Sequence, residues 1–153
     1  MTSLELKIPP DLIWVAVAGM MWLTSRVVVG LGAAEGPRRA LAVILIVIGT
    51  GLIVAARVAL DRAGTTWRPR EPGRTTALVT SGVYRFSRNP TYLGMQIVLL
   101  SWAVVLASPA AALVSVLFGA YIDRFQIRPE EMTLAAALGE DYRDYVERVR
   151  RWV

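Results

Sequence analysis

The chain of 153 residues contains no cysteine and no histidine. Their absence removes disulfides, thiol nucleophiles, thiolate or imidazole metal ligands and every histidine-dependent triad, so no metal is expected. Lysine is nearly absent as well: of 17 basic residues only Lys7 is a lysine, and the rest are arginine. Charge is thin overall, with 19% charged residues against 55% hydrophobic ones, a balance too apolar for a soluble domain of this size. Chemistry must therefore come from arginine, glutamate, aspartate, tyrosine or the backbone. The net charge of +5 does not indicate nucleic acid, because the aromatic residues are not interleaved with basic runs. Basic residues gather on the cytoplasmic side of membrane proteins, and membrane lipids are the partners this composition implies.

Four apolar runs, at about 12–31, 40–60, 92–107 and 110–122, account for most of the hydrophobic residues. A helix crossing a bilayer needs roughly 20 residues, so the fourth run must tilt or continue beyond the hydrocarbon. Arg26 and Arg57 lie near the ends of their runs, where their side chains can reach the headgroups. The first run follows Glu5, Lys7 and Asp11 without a small-residue cleavage site and reads as a retained span rather than a signal peptide. The segment 61–91 carries Arg62, Arg68, Arg70, Arg74, Arg85 and Arg88, the carboxy-terminal segment 123–153 is also rich in arginine, and the turn at Ser108-Pro109 carries no charge. The charge bias predicts that both segments are cytoplasmic. The expected fold is all-α: a single polytopic domain over 1–153, with four transmembrane helices in an inner or cytoplasmic membrane and both termini cytoplasmic. The Pro- and Gly-containing stretch 61–81 is expected to be an ordered loop.

Two polar constellations stand out. In GVYRFSRNPTYLG, Gly82 to Gly94, Asn89-Pro90 opens a helix whose amino terminus attracts anionic groups. The alternative is that Tyr84 and Tyr92 belong to an interfacial aromatic belt while the arginines bind lipid headgroups. In RPEEMTLAAALGEDYRDYVERVRR, Arg128 to Arg151, Glu130 and Glu131 follow Pro129. They either complement the helix dipole, or one faces inward and holds a cationic or hydroxyl-rich ligand beside residues 61–92. Pro129 predicts a kink or restart, Gly139 a stop, and Tyr142 with Tyr145 a last helix packed back over the site.

LVTSGVYRFSRNPTYLG followed by EEMTLAAALGEDYRDYVERV, from about Ala77 to Arg150, resembles the isoprenylcysteine carboxyl methyltransferase family and its bacterial relatives, including phospholipid methyltransferases. The resemblance implies a pocket for S-adenosylmethionine, formed by the cytoplasmic loop and the carboxy-terminal helices, with a lipophilic or lipidated substrate entering between helices. Carried over by position, the cofactor contacts would be Thr76, Ala77, Leu78, Val79, Tyr84, Asn89, Pro90, Thr91, Tyr92 and Glu130, with Arg88 beside them, and the candidate catalytic residues near this set are Arg124, Arg128 and Glu131. The family's histidines fall at Asn89 and Thr76 here, and its substrate-side arginine at Gln126, which leaves Arg124 and Arg128 as the nearest replacements. A carboxylate or thiolate acceptor needs no general base, so methyl transfer tolerates the lack of histidine, whereas an amine would have to give a proton to Glu130, Glu131, Asp123 or a tyrosine. An isoprenylcysteine-like carboxylate or thiol is therefore the expected acceptor. Other readings stay open: a degenerate relative that binds lipid or a partner protein, a small transport subunit with Arg26 and Arg57 lining a path, or a nicotinamide-dependent reductase.

Overall fold

The computed structural model describes residues 6–28, 30, 34–64 and 78–153. Thr76, Ala77 and most of the stretch 61–81 lie outside the described residues. The described residues form five α-helices: α1 Pro10–Val27, α2 Glu35–Arg62, α3 Pro90–Val105, α4 Pro109–Ile122 and α5 Arg128–Arg148. No strand occurs among the described residues. Proline occupies the first or second position of α1, α3, α4 and α5 and the third of α2, where its fixed φ suits the start of a helix. The four apolar runs of the sequence are thus the four helices α1 to α4, with shifted ends.

Helices α2 and α3 pack along their lengths because two glycines meet at their crossing. A Cβ on Gly94 would lie 2.6 Å from the carbonyl oxygen of Gly49, and one on Gly49 would lie 2.8 Å from that of Gly94. The backbones approach more closely there than any side chain would permit. Polar groups tie the same bundle: the Ser101 hydroxyl donates to the Ala42 carbonyl at 2.8 Å, and the indoles of Trp14 and Trp102 donate to Met95 and Ala18 carbonyls at 3.0 and 3.2 Å. Met21, Leu99, Phe118, Ile122 and Ile127 are fully buried at its centre. Many apolar side chains face outward instead, among them Leu12, Val15 and Leu23 of α1, Val43 and Val47 of α2, and Leu113, Val116 and Leu117 of α4. A soluble monomer rarely exposes so continuous an apolar surface.

Among the described residues two helical stretches are long and apolar enough to cross a membrane: α2, of 28 residues, and the continuous run Pro109–Arg148, of 40 residues, whose apolar part is α4. With 16 residues, α3 extends only about 24 Å, short of the roughly 30 Å hydrocarbon layer.

Between α4 and α5 the chain makes a π-helical turn, Asp123–Ile127, and proline explains it. Pro129 has no N–H to donate to the Phe125 carbonyl, and its ring would crowd that carbonyl in a regular helix. The wider turn relieves the crowding, and the released Phe125 carbonyl accepts from the Leu6 N–H at 3.2 Å. The restart expected at Pro129 thus takes the form of an inserted π turn without loss of helical continuity. Gly139 breaks α5 as its sequence position foretold, at φ 57° and ψ −123°, a conformation that favours glycine. Both ends of the described chain meet at one end of the bundle. The buried Gln126 amide donates to the Ile8 carbonyl at 2.7 Å, and the Arg88 N–H donates to the Arg150 carbonyl at 3.0 Å.

Candidate functional site

The end of the bundle where α3 begins and α4 gives way to α5 concentrates the polar side chains. A short 3-10 turn, Gly82–Arg85, leads into α3, with Gly82 at φ 62° in the left-handed region. The turn presents Tyr84, whose hydroxyl hydrogen-bonds with Thr91 and whose carbonyl accepts from the Tyr145 hydroxyl at 2.7 Å. Burial pushes the Tyr84 phenol up to about 12, despite its bond with Thr91. Tyr142 and Tyr145 are buried and meet edge to face, 6.3 Å between centroids, so the segment after Gly139 folds back over the site as the sequence implied.

The two adjacent glutamates of α5 have opposite environments. Glu131 lies at the centre of an ion cluster: Arg88 donates to one of its oxygens at 2.7 and 3.2 Å, and Arg151 to the other at 2.6 Å. Arg151 also donates to Asp123 at 3.1 Å, and Arg128 donates to the other oxygen of Asp123 at 3.0 Å. Burial works to raise the pKa of Glu131, but the hydrogen bonds and charges of Arg151 and Arg88 outweigh it, and the net shift is downward. Glu130, one residue earlier, has among the described residues no basic partner; its carboxyl accepts from the Tyr92 hydroxyl at 2.6 Å. Burial pushes it up to about 7, with the charge of Glu131 adding to the rise and the Tyr92 bond opposing it. The arginines favour the ionised form of one carboxylate, while burial raises the pKa of its neighbour to about 7.

The cluster also fastens the carboxy terminus. Arg88 Nη1 donates to the Val149 and Val146 carbonyls at 2.7 and 3.2 Å, so four contacts engage its guanidinium. The Ser87 hydroxyl and the Asn89 amide donate to the Arg151 carbonyl at 3.3 and 3.1 Å. Residues 149–151 form a strap across the start of α3.

Of the residues singled out from the sequence, Tyr84, Thr91, Tyr92 and Glu130 lie together as two hydrogen-bonded pairs, Tyr84 with Thr91 and Tyr92 with Glu130. Arg88 and Asn89 belong to the strap, and Pro90 is buried as the first residue of α3. Leu78 and Val79 are partly buried ahead of the 3-10 turn. Glu131 sits in the ion cluster, with Arg128 at its exposed edge, while the exposed Arg124 lies over the Phe125 ring at 5.5 Å. Sequence reasoning missed Arg151 and the linking role of Asp123. The density of arginine in the last residues marked the segment but not which arginine turns inward. Two grooves indent the described surface elsewhere, one among α2, α3 and α4 at the opposite end of the bundle and one along α2, and neither reaches Glu130.

A family model described as phospholipid methyltransferase matches residues 37–141. The chain is similar to an uncharacterized protein of Haemophilus influenzae, 39% identical over 62 residues, which are 40% of this chain and 98% of that one. It is also similar to the protein-S-isoprenylcysteine O-methyltransferase of Rattus norvegicus, 34% identical over 96 residues, covering 61% of this chain and 34% of the rat enzyme. The Mus musculus enzyme of the same name is 32% identical over 109 residues, covering 65% and 38%. The chain spans little more than a third of the length of these two enzymes. No solved structure matches. With more than half of its residues matched by the family model, and relatives of the isoprenylcysteine O-methyltransferase type, the chain belongs to the phospholipid methyltransferase family.

Proposed function

We propose that the protein is an integral-membrane, S-adenosylmethionine-dependent methyltransferase that acts on a lipophilic substrate such as an isoprenylcysteine-like carboxylate or thiol. The observation that carries this reading is Glu130, a desolvated carboxylate bonded to the Tyr92 hydroxyl with no cation beside it among the described residues. Such a group is costly to ionise alone and favours a cationic ligand that completes it. S-adenosylmethionine, a sulfonium with an ammonium group, suits that acceptor and supplies the methyl group when bound. Tyr92 orients Glu130, and Tyr84 and Thr91 line the same patch. Leu78, Val79, Pro90 and the parts of Arg88 and Asn89 not engaged by the strap would frame the cofactor, with Thr76 and Ala77 as further candidates.

Glu131 takes a positioning role in this reading, holding the strap and the start of α3 together. Arg124 and Arg128, at the rim, are the candidates to hold an anionic acceptor. Displacement at the methyl carbon by a carboxylate or thiolate forms one bond as the sulfonium bond breaks, with no proton to move, so the chain contributes alignment and exclusion of water. The outward apolar faces of α1 to α4 support four spans, with the site at the cytoplasmic surface.

The test is thermal stability in detergent with millimolar S-adenosylmethionine or its demethylated product. Binding at about 100 times Kd stabilises by about 2.7 kcal/mol. The shift should vanish in Glu130→Ala. A monodisperse wild-type protein without any shift would refute cofactor binding; where the shift is seen, labelled methyl transfer into a lipid extract identifies the acceptor. One observation favours a second reading, a relative that binds lipid without turnover: Gln126, at the position of the family's substrate-side arginine, is buried and tied to the Ile8 carbonyl. Cofactor binding without transfer to any lipid would select it.

A further inference from the structure

At the end of the bundle away from Glu130, helices α2, α3 and α4 enclose an open groove of about 660 Å³. Leu41 of α2, Leu100 and Val104 of α3, and Ala112 of α4 line it, with Arg38 as its single charged residue. Tyr92 and Val104 lie on the same helix twelve residues apart, about 18 Å at a rise of roughly 1.5 Å per residue, so the groove is a separate place from the glutamate site.

Arg38 differs from its neighbour. Arg39 turns outward and pairs with Glu35 at 2.6 Å. Among the described residues no carboxylate pairs with Arg38. Its Nη1 reaches the Val105 carbonyl at 3.4 Å, and its Nε is buried without a partner. The carbonyl end of α3 attracts a cation but cannot neutralise a full charge. A guanidinium beside an apolar trough, at the depth where α2 begins and α3 ends, matches one chemistry: an acyl chain in the groove and an anionic headgroup against the arginine.

We infer that the groove among α2, α3 and α4 binds one molecule of an anionic membrane phospholipid, its headgroup held by Arg38 and a chain lying along Leu41, Leu100 and Val104. The site is independent of the proposed methyl transfer and lies at the opposite end of the bundle. The charge of Arg38 sets the preference for anionic over zwitterionic lipid, and the apolar walls set affinity for the chain.

The experiment measures lipid retention by native mass spectrometry and the melting temperature of the delipidated protein titrated with phosphatidylglycerol or phosphatidylcholine. Phosphatidylglycerol should bind the wild type roughly five-fold more tightly, the difference expected of one basic residue near a headgroup. Arg38→Gln should abolish that preference, Arg38→Lys should keep most of it, and Arg39→Gln should leave it unchanged. Leu41→Trp, which fills the groove, should weaken both lipids. Equal affinity of the wild type for the two lipids overturns the inference. So does an equal loss in Arg38→Gln and Arg39→Gln, which would mean diffuse surface charge, or an equal shift with inorganic phosphate alone, which would remove any role for the groove. If Arg38→Gln fails to fold, the wild-type preference should fall as salt rises from about 50 to about 500 mM, and a salt-independent preference would overturn it.

Discussion

Replacing Glu131 by glutamine keeps the shape of the side chain and removes the one charge that two arginines share. Arg88 is 9% exposed at its side chain and Glu131 16%, so water can replace little of what is lost there, whereas Arg151, at 32%, recovers part of its hydration. Breaking a buried pair by removing one partner costs about 3–5 kcal/mol, and the partial exposure of Arg151 places Glu131→Gln near the lower end, about 3 kcal/mol. For a chain of this length a loss of that size lowers Tm by roughly 6–12 °C. The strap then loosens, because Arg88 also holds the Val146 and Val149 carbonyls. The assay is a melt in detergent at neutral pH, paired with limited proteolysis at the carboxy terminus. Early loss of residues 149–153 is expected, while the α2–α3 pair stays resistant. A variant that melts within about 2 °C of wild type, with an equally protected terminus, would refute the clamp.

The remaining predictions probe other parts of the same architecture. The folded pKa of Glu130, about 7, lies above its unfolded value of 4.5, so its contribution to stability is fully present below about pH 4.5 and is lost as pH rises through 7. Glu130→Gln should therefore melt several degrees, roughly, above wild type at pH 8, with the gap closing toward pH 4.5; an unchanged gap across that range would contradict the burial of this carboxyl. S-adenosylmethionine affinity should rise as Glu130 ionises through about pH 7, and a flat profile in Glu130→Gln would confirm which group titrates. Gly94→Val should cost at least about 1–3 kcal/mol, because even its Cβ would lie 2.6 Å from the Gly49 carbonyl oxygen; a melt equal to wild type would show that the helices do not cross there. Gly139→Ala meets no neighbour within 4 Å yet must hold φ near 57°, so a loss of about 1–2 kcal/mol would be purely conformational, and an unchanged Tm would mean that α5 runs straight through.

Sequence alone determined the elements of this protein. Long apolar runs can be satisfied only as helices with outward apolar faces, and the proline positions mark where those helices begin. Gly139 and Pro129 announced the break and the restart, since φ preference and a missing N–H are properties of single residues. The absence of histidine and cysteine confined the chemistry to carboxylates, tyrosines and arginines. The two motifs identified the region of the site before any contact was known. Tertiary structure alone decided the division of labour between Glu130 and Glu131. Neighbours in a helix point about 100° apart, and which of them meets arginines depends on the π turn at 123–127 and on segments distant in sequence. Arg151 lies 20 residues beyond Glu131 and reaches it only because the chain folds back after Gly139. Gln126 could be read as a departure from a family pattern, but its tie to the Ile8 carbonyl joins positions 118 apart. Charge and hydropathy are written residue by residue, whereas partnership at such separations exists only once the bundle has closed.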